Sequence, residues 1–128
     1  MSLLTQSDAR LRKHADYQRV YQRSRKHFSP SMTYFFAERP AAASPVSGVN
    51  RILGPRVGLT AGRVLGKAVE RNRIKRRMRD AVRLNLEFLT RDVDVVLHPR
   101  RTVLTEEFAR LQGEVCKIFS VIEKTSHA

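Results

Sequence analysis

RVLGKAVERNRIKRRMRDAVR, residues 63–83, sets the architecture of this chain. It holds nine basic side chains against two acidic ones, Glu70 and Asp80, and so carries +7 of the chain's formal +13. At about 100° per residue, Ile74, Met78 and Ala81 fall on one side, with Val82 and Leu89 beside them. Asn72, Arg76, Arg79 and Arg83 fall on the other, over roughly 16 Å of helix axis. The spacing predicts a helix over 67–89 that buries an apolar stripe and presents a straight polar-basic rail. Like charges three and four residues apart repel and weaken a helix. A sequence that keeps them fits a polyanionic partner; the plainer alternative is a solvated basic face.

Working outward, residues 56–62 read as a strand with Val57, Leu59 and Ala61 on one face and Gly58, Thr60 and Gly62 leaving the other shallow. Gly66 lies just before the helix, where the chain can turn freely. Residues 92–98 read as another strand, with Val93, Val95 and Leu97 on one face and Pro99 ending it. A helix crossing between two strands implies that they run parallel. Further upstream, Met32, Tyr34 and Phe36 alternate with Thr33, Phe35 and Ala37 over a strand at 32–38. Aromatics on both faces imply that neither is simply solvated. Before it, Tyr17, Val20 and Tyr21 recur at helical spacing over 15–23, with Asp16 favourable near the helix start.

Residues 39–55, rich in Pro, Ala and Ser, read as a mobile hairpin connection between the strands at 32–38 and 56–62. Residues 1–10 and 124–128 read as loose tails of a single domain spanning 1–128. Near the end, Thr105 is the expected N-cap of a helix in which Phe108, Leu111, Val115, Phe119 and Ile122 recur. Cys116 lies in the same pattern and is expected in the core. The order is α-β-β-α-β-α, an α+β sandwich of helices on a mostly antiparallel sheet.

Apolar residues make up 41% of the 128, enough for a modest core, and charged residues 29%. An isoelectric point near 11.2 points to nucleic acid or an anionic surface. Residues 1–14 lack the long apolar run of a secretory signal, and nowhere is there a membrane-length apolar run. One cysteine excludes an internal disulfide and fits a reducing cytoplasm.

Catalytic chemistry is hard to find. His14, His27, His98 and His127 are scattered without metal-ligand spacing, and no phosphate loop or nucleophile–base pair is present. His98 reads as structural. Asp92 and Asp94 share a strand face and could attract a cation, but Asp is ordinary at a helix–strand turn. The arginines of 71–77 are better placed for chemistry, because guanidinium forks match phosphate oxygens. Tyr17, Tyr21 and Phe35 either stack unpaired bases beside a basic groove or pack as core.

At these residues the chain resembles a known family. Arg-Val-Gly-Leu-Thr at 56–60 and the run at 66–79 (GKAVERNRIKRRMR) are similar to the signature of the protein subunit of bacterial ribonuclease P. Residues 11–21 (LRKHADYQRVY) resemble that family's first helix and 92–99 (DVDVVLHP) its last strand, so the resemblance covers about 11–123. It implies a left-handed β-α-β crossover, an exception to the usual rule. The catalyst is implied to be a large RNA that removes the 5′ leader of precursor tRNA with magnesium ions bound mainly by that RNA. The protein would bind this RNA and the leader and be inactive alone; the sequence itself makes no obligate protein partner evident and gives no reason to expect a membrane. Carried over by position, Arg71, Asn72, Arg73, Lys75, Arg76 and Arg79 become RNA contacts, joined by Arg63, Lys67 and Arg83. Tyr17, Tyr21 and Phe35 become the leader cleft, with Tyr34 the neighbour that could replace Phe35. The family often has Ser and two basic residues after the Arg-Val-Gly strand; this sequence has Gly62, Arg63 and Val64, and Lys67 is the next basic side chain. The competing readings are a basic structural protein of the ribosomal type and a DNA-binding basic helix. The latter lacks a heptad seam after Arg83.

Overall fold

Residues 10–39 and 54–125 are described by the structure, a computed structural model. Along the chain lie α1 (His14–Arg23), β1 (His27–Ser29), β2 (Met32–Glu38), β3 (Arg56–Leu59), α2 (Ala68–Asn85), β4 (Val93–Pro99) and α3 (Phe108–Lys124). Short 3-10 turns precede α2 (Arg63–Leu65), follow it (Leu86–Phe88) and follow β4 (Arg101–Leu104).

One four-stranded sheet runs β1-β2-β4-β3. β4 pairs antiparallel with β2, Phe35 opposite Val96, and parallel with β3, Val57 opposite Val95. The parallel pair around α2 is as the crossing helix demanded. The hairpin expected between 32–38 and 56–62 is absent: β4, more than thirty residues downstream of β3, inserts between them. Its reason is visible in β4 itself. Val93, Val95, Val96 and Leu97 are all fully buried, and a strand apolar on both faces is stabilised most at the centre of a sheet covered on both sides. Of the 39–55 connection, residues 40–53 lie outside the described residues. Its ends are held: the Arg39 N–H donates to Asp92 O at 3.0 Å, and the Gly54 N–H donates to the Asp92 carboxylate.

Two apolar clusters lie on opposite faces of this sheet. The larger joins Met32, Tyr34, Val57, Val93, Val95 and Leu97 to the stripe of α2 (Ile74, Met78, Ala81, Val82) and that of α3 (Leu111, Val115, Ile118, Phe119, Ile122). The smaller joins Ala37 and Val96 to Leu11 and to Val20 of α1.

Several expected boundaries shift. The strand 56–62 ends at Leu59, although Ala61 still packs on the larger core. The helix 67–89 becomes α2 plus a 3-10 turn, after which Leu89 is buried. Thr105 is not an N-cap, because the 3-10 turn at Arg101–Leu104 intervenes and α3 begins three residues later, after Glu107. Cys116 is only partly buried: it lies one position beyond Val115, about 100° off the stripe that faces the core. The strand β1 is additional to the expected order, because three residues are too few to show alternation. Of the expected tails, 1–9 and 126–128 lie outside the described residues, but Arg10 bridges to Val57 and the Leu11 N–H donates to Val57 O at 3.0 Å.

Candidate RNA interface

The α2 stripe packs inward, so the opposite face must point out. Asn72, Arg73, Arg76 and Arg83 are exposed, as are Arg63 and Lys67 ahead of the helix; Arg71, Lys75 and Arg79 are partly exposed. Among the described residues Arg73 and Arg76 have no acidic partner, and Arg71 Nε is buried without a hydrogen bond. Arg83 makes a loose 3.8 Å pair with Asp80. Arg77, within the same basic run, turns inward instead. Its Nε donates to Val103 O at 2.9 Å, its Nη2 to Glu106 O, and its guanidinium lies 6.0 Å from the Phe108 ring centre. One arginine of the run thus fastens the turn before α3, while the others stay free of it.

The start of α2 is anchored. The Glu70 carboxylate accepts the Lys67 N–H at 3.0 Å and both Arg101 Nη groups, at 3.1 and 2.7 Å. The Arg101 guanidinium, with the Lys67 N–H, holds the Glu70 carboxyl down at about 2. Gly66 has φ 123°, and a Cβ there would collide with Glu70 and Arg101. The backbone conformation is what favours glycine; the close atoms are the ends of flexible side chains.

Across the sheet, three partly buried aromatic rings form the surface expected as the leader cleft. Tyr17 and Tyr21, one turn apart on α1, and Phe35 on β2 pack partly buried against the smaller cluster. Phe35 faces α1, whereas Tyr34 lies in the larger core stacked on His27, ring centres 5.0 Å apart. The alternation read in the sequence therefore places Phe35, and not Tyr34, in the cleft. Tyr21 meets Phe35 edge-on at 5.1 Å. Gly58 makes room for Tyr17: a Cβ there would lie 2.6 Å from the phenol Cζ. Burial raises the pKa of both Tyr17 and Tyr21. The two surfaces meet where Tyr17 and Arg79, with Arg10, Leu11, Val57 and Leu86, line a cavity of about 80 Å³.

Two participants escaped the sequence reading. His98, read as structural, shares a 2.9 Å hydrogen bond with Tyr21 Oη and lies 5.2 Å from Phe35 by ring centres. Burial, then Lys26, lowers its pKa. Its signal was alternation: Asp94, Val96 and His98 share the face opposite Val93, Val95 and Leu97. The second is Asp94, which has no exposed surface. Arg56 donates to it in a fork, Nε to Oδ1 at 2.8 Å and Nη2 to Oδ2 at 2.7 Å; Arg19 of α1 also donates to Oδ2, and Arg39 Nε lies 3.9 Å from Oδ1. Asp16 adds a 3.5 Å contact to Arg56. Both Asp94 oxygens are occupied by guanidinium groups, so Asp94 has none free to pair with Asp92 on a cation. Among the described residues no cluster of three His, Cys, Asp or Glu side chains forms, and no helix is long and apolar enough to cross a membrane.

Together these features define a small, strongly basic α+β protein with a cationic helix face and an aromatic cleft on opposite sides of one sheet. The family model described as Ribonuclease P matches residues 5–123, and the chain belongs to the family of bacterial ribonuclease P protein subunits. It is 37% identical over 110 residues to the ribonuclease P protein component of Chloroflexus aggregans, covering 85% of this chain and 73% of that one. To the component of Syntrophus aciditrophicus it is 28% identical, covering 94% and 88%. In fold it is similar to the ribonuclease P protein of Thermotoga maritima, TM-score 0.71 at 21% identity, over 89% of this chain and 97% of that one. The Staphylococcus aureus protein gives 0.70 at 20% identity, over 90% and 95%. Family membership makes the chain a component of a tRNA-processing endoribonuclease that partners with ribonuclease P RNA.

Proposed function

We propose that the α2 rail binds the phosphate backbone of the catalytic RNA while the cleft holds the single-stranded 5′ leader of precursor tRNA. Arg63, Lys67, Arg71, Asn72, Arg73, Lys75, Arg76, Arg79 and Arg83 supply phosphate-matching donors. Tyr17, Tyr21 and Phe35 offer ring faces to unpaired bases, which stack without strong sequence preference. The observation that carries this reading is the half-open aromatic cleft, joined to the rail at the cavity shared by Tyr17 and Arg79.

Catalysis is assigned to the RNA, with magnesium held mainly by that RNA; the ions supply an activated water and a stabilised leaving oxygen. The protein's own residues bind and orient. Arginine contacts screen the approach of two polyanions, and leader stacking converts part of the encounter with substrate into an intramolecular step. The protein by itself is inactive in this account.

The test is reconstitution with a bacterial ribonuclease P RNA and a precursor tRNA at low magnesium. Leader removal should require the RNA and be stimulated by the protein. Cleavage by RNA-free protein at the holoenzyme rate would overturn the assignment of catalysis. Copurification with ribosomal RNA alone would favour a ribosomal role instead.

A further inference from the structure

The cleft does not end at Phe35. Phe28, on the edge strand β1, is 70% exposed. It pairs across the sheet with Thr33, which in turn pairs with His98. Directly opposed residues share a sheet face, so Phe28, Thr33 and His98 form one row on the face that carries Phe35. The neighbouring His27 goes the other way and stacks on Tyr34 and Phe36. Phe28 lies one strand over and two residues along from Phe35, about 8 Å away at ordinary strand spacing and rise. That is on the order of two stacked base steps.

The fold gains little from this ring. At 70% exposed it forgoes most of the burial that would stabilise the fold. Yet the hairpin that presents it is braced from both sides. Arg100 Nη1 donates to Ser29 O at 2.8 Å and to Pro30 O at 3.1 Å. The Glu114 carboxylate accepts the Ser31 N–H at 2.8 Å and the Ser29 hydroxyl. The helix α1 stops at Arg23, and Ser24 Oγ takes the Phe36 N–H at 3.1 Å, so the helix covers Phe35 and not Phe28. The surroundings are cationic: Arg23, Arg25 and Lys26 are exposed, and Lys26 acts electrostatically on His98.

We propose that Phe28 is a further stacking position for single-stranded RNA, taking a leader nucleotide 5′ of those held by Tyr17, Tyr21 and Phe35. This rests on the leader reading of the cleft. The direction follows from the junction with the rail. Arg79 belongs to the surface assigned to the catalytic RNA and lines the cavity at Tyr17, so nucleotides nearest the cleavage site lie there. Nucleotides farther from it pass Tyr21, Phe35 and His98 and reach β1, with Lys26 beside their phosphates.

The experiment measures precursor tRNA affinity of the reconstituted holoenzyme as the leader is lengthened one nucleotide at a time, for wild type, Phe28→Ala, Phe28→Tyr and Tyr17→Ala. Phe28→Ala should weaken binding about fivefold only beyond a threshold length, Phe28→Tyr should retain it, and thermal unfolding of both should match wild type. If Tyr17→Ala weakens precursor binding while Phe28→Ala has no effect at any length, the extension falls and the cleft reading stands. If neither has an effect, the cleft reading itself falls. A Phe28→Ala loss shared with mature tRNA, or a loss of self-association in its place, would assign the ring to another partner and overturn the proposal.

Discussion

The two faces of the sheet are built to different standards of closure. On the α2/α3 side the stripes of two long helices meet the sheet, and Ile74, Met78, Val95, Leu97 and Phe119 have no exposed surface. On the α1 side a ten-residue helix covers less, and three aromatic rings stay half-open around a small cluster. Charge is arranged in the opposite sense. The half-open face neutralises the arginines beside α1, with Arg19, Arg39 and Arg56 gathered on Asp16, Asp92 and Asp94, and keeps exposed cations at its β1 end, Arg23, Arg25 and Lys26. The closed side carries on its outer surface a helix whose basic residues are mostly left uncompensated. If the proposed roles hold, the contrast separates two ways of meeting a polyanion: aromatic surface for bases, and open positive charge for phosphates.

The largest expected effect breaks the contrast at its buried charge. Asp94→Ala leaves three mostly buried guanidinium groups without the carboxylate they share, with only Asp16 and Asp92 still nearby, and losing one partner of a buried pair costs about 3–5 kcal/mol. Chemical denaturation should show a loss of that size, accompanied by loosening of α1. Phe119→Ala should cost a similar amount, about 3–5 kcal/mol, by opening the larger core. A near-neutral Asp94→Ala would mean that the arginine cluster does not hold α1 on the sheet.

A smaller effect sharpens the charge side. Arg76→Ala should weaken binding to ribonuclease P RNA while leaving the unfolding midpoint nearly unchanged. It should also flatten the log-affinity against log-salt slope by about 0.7–0.9. Arg79→Ala should do the same and also weaken leader binding, because Arg79 lines the cavity with Tyr17. Unchanged affinity and slope in both would count against the rail.

The smallest expected effect concerns His98. Burial and Lys26 lower its pKa below 6.5, so the unfolded chain takes up its proton at higher pH than the folded one. The stabilising contribution is therefore present above about pH 6.5 and is lost as pH falls toward the folded pKa. His27, shifted in the same direction, adds to the slope. Between about pH 7 and pH 5, His98→Leu should lose less stability than wild type; parallel pH profiles would contradict the burial of the ring.

What could be read in advance was local. The period of 63–83 placed the rail, and alternation over 32–38 placed Phe35 opposite Tyr34. The parallel strands around α2 followed from the crossing helix. What could not be read depended on distant partners. Apolar residues on both faces of 93–99 fit a central strand, but only sheet pairing shows that it separates β2 from β3. Asp94 looked like a turn residue because its arginines lie 75, 55 and 38 positions upstream. Alternation gives the face of His98, but its row with Phe28 comes from shared register with Thr33, a three-strand relation with no sequence period. Thr105 had the chemistry of a cap but was displaced by a 3-10 turn, where local propensity and tertiary packing compete.

The most direct test of the central contrast is the affinity of the reconstituted holoenzyme for precursor and mature tRNA, measured side by side for Tyr17→Ala. Mature tRNA has no leader, so the account predicts a loss of about 1–3 kcal/mol for the precursor and almost none for the mature form, with thermal unfolding close to wild type. An equal loss for both ligands, or a drop in stability large enough to explain it, would show that Tyr17 is core packing and that the half-open face is not where the leader binds.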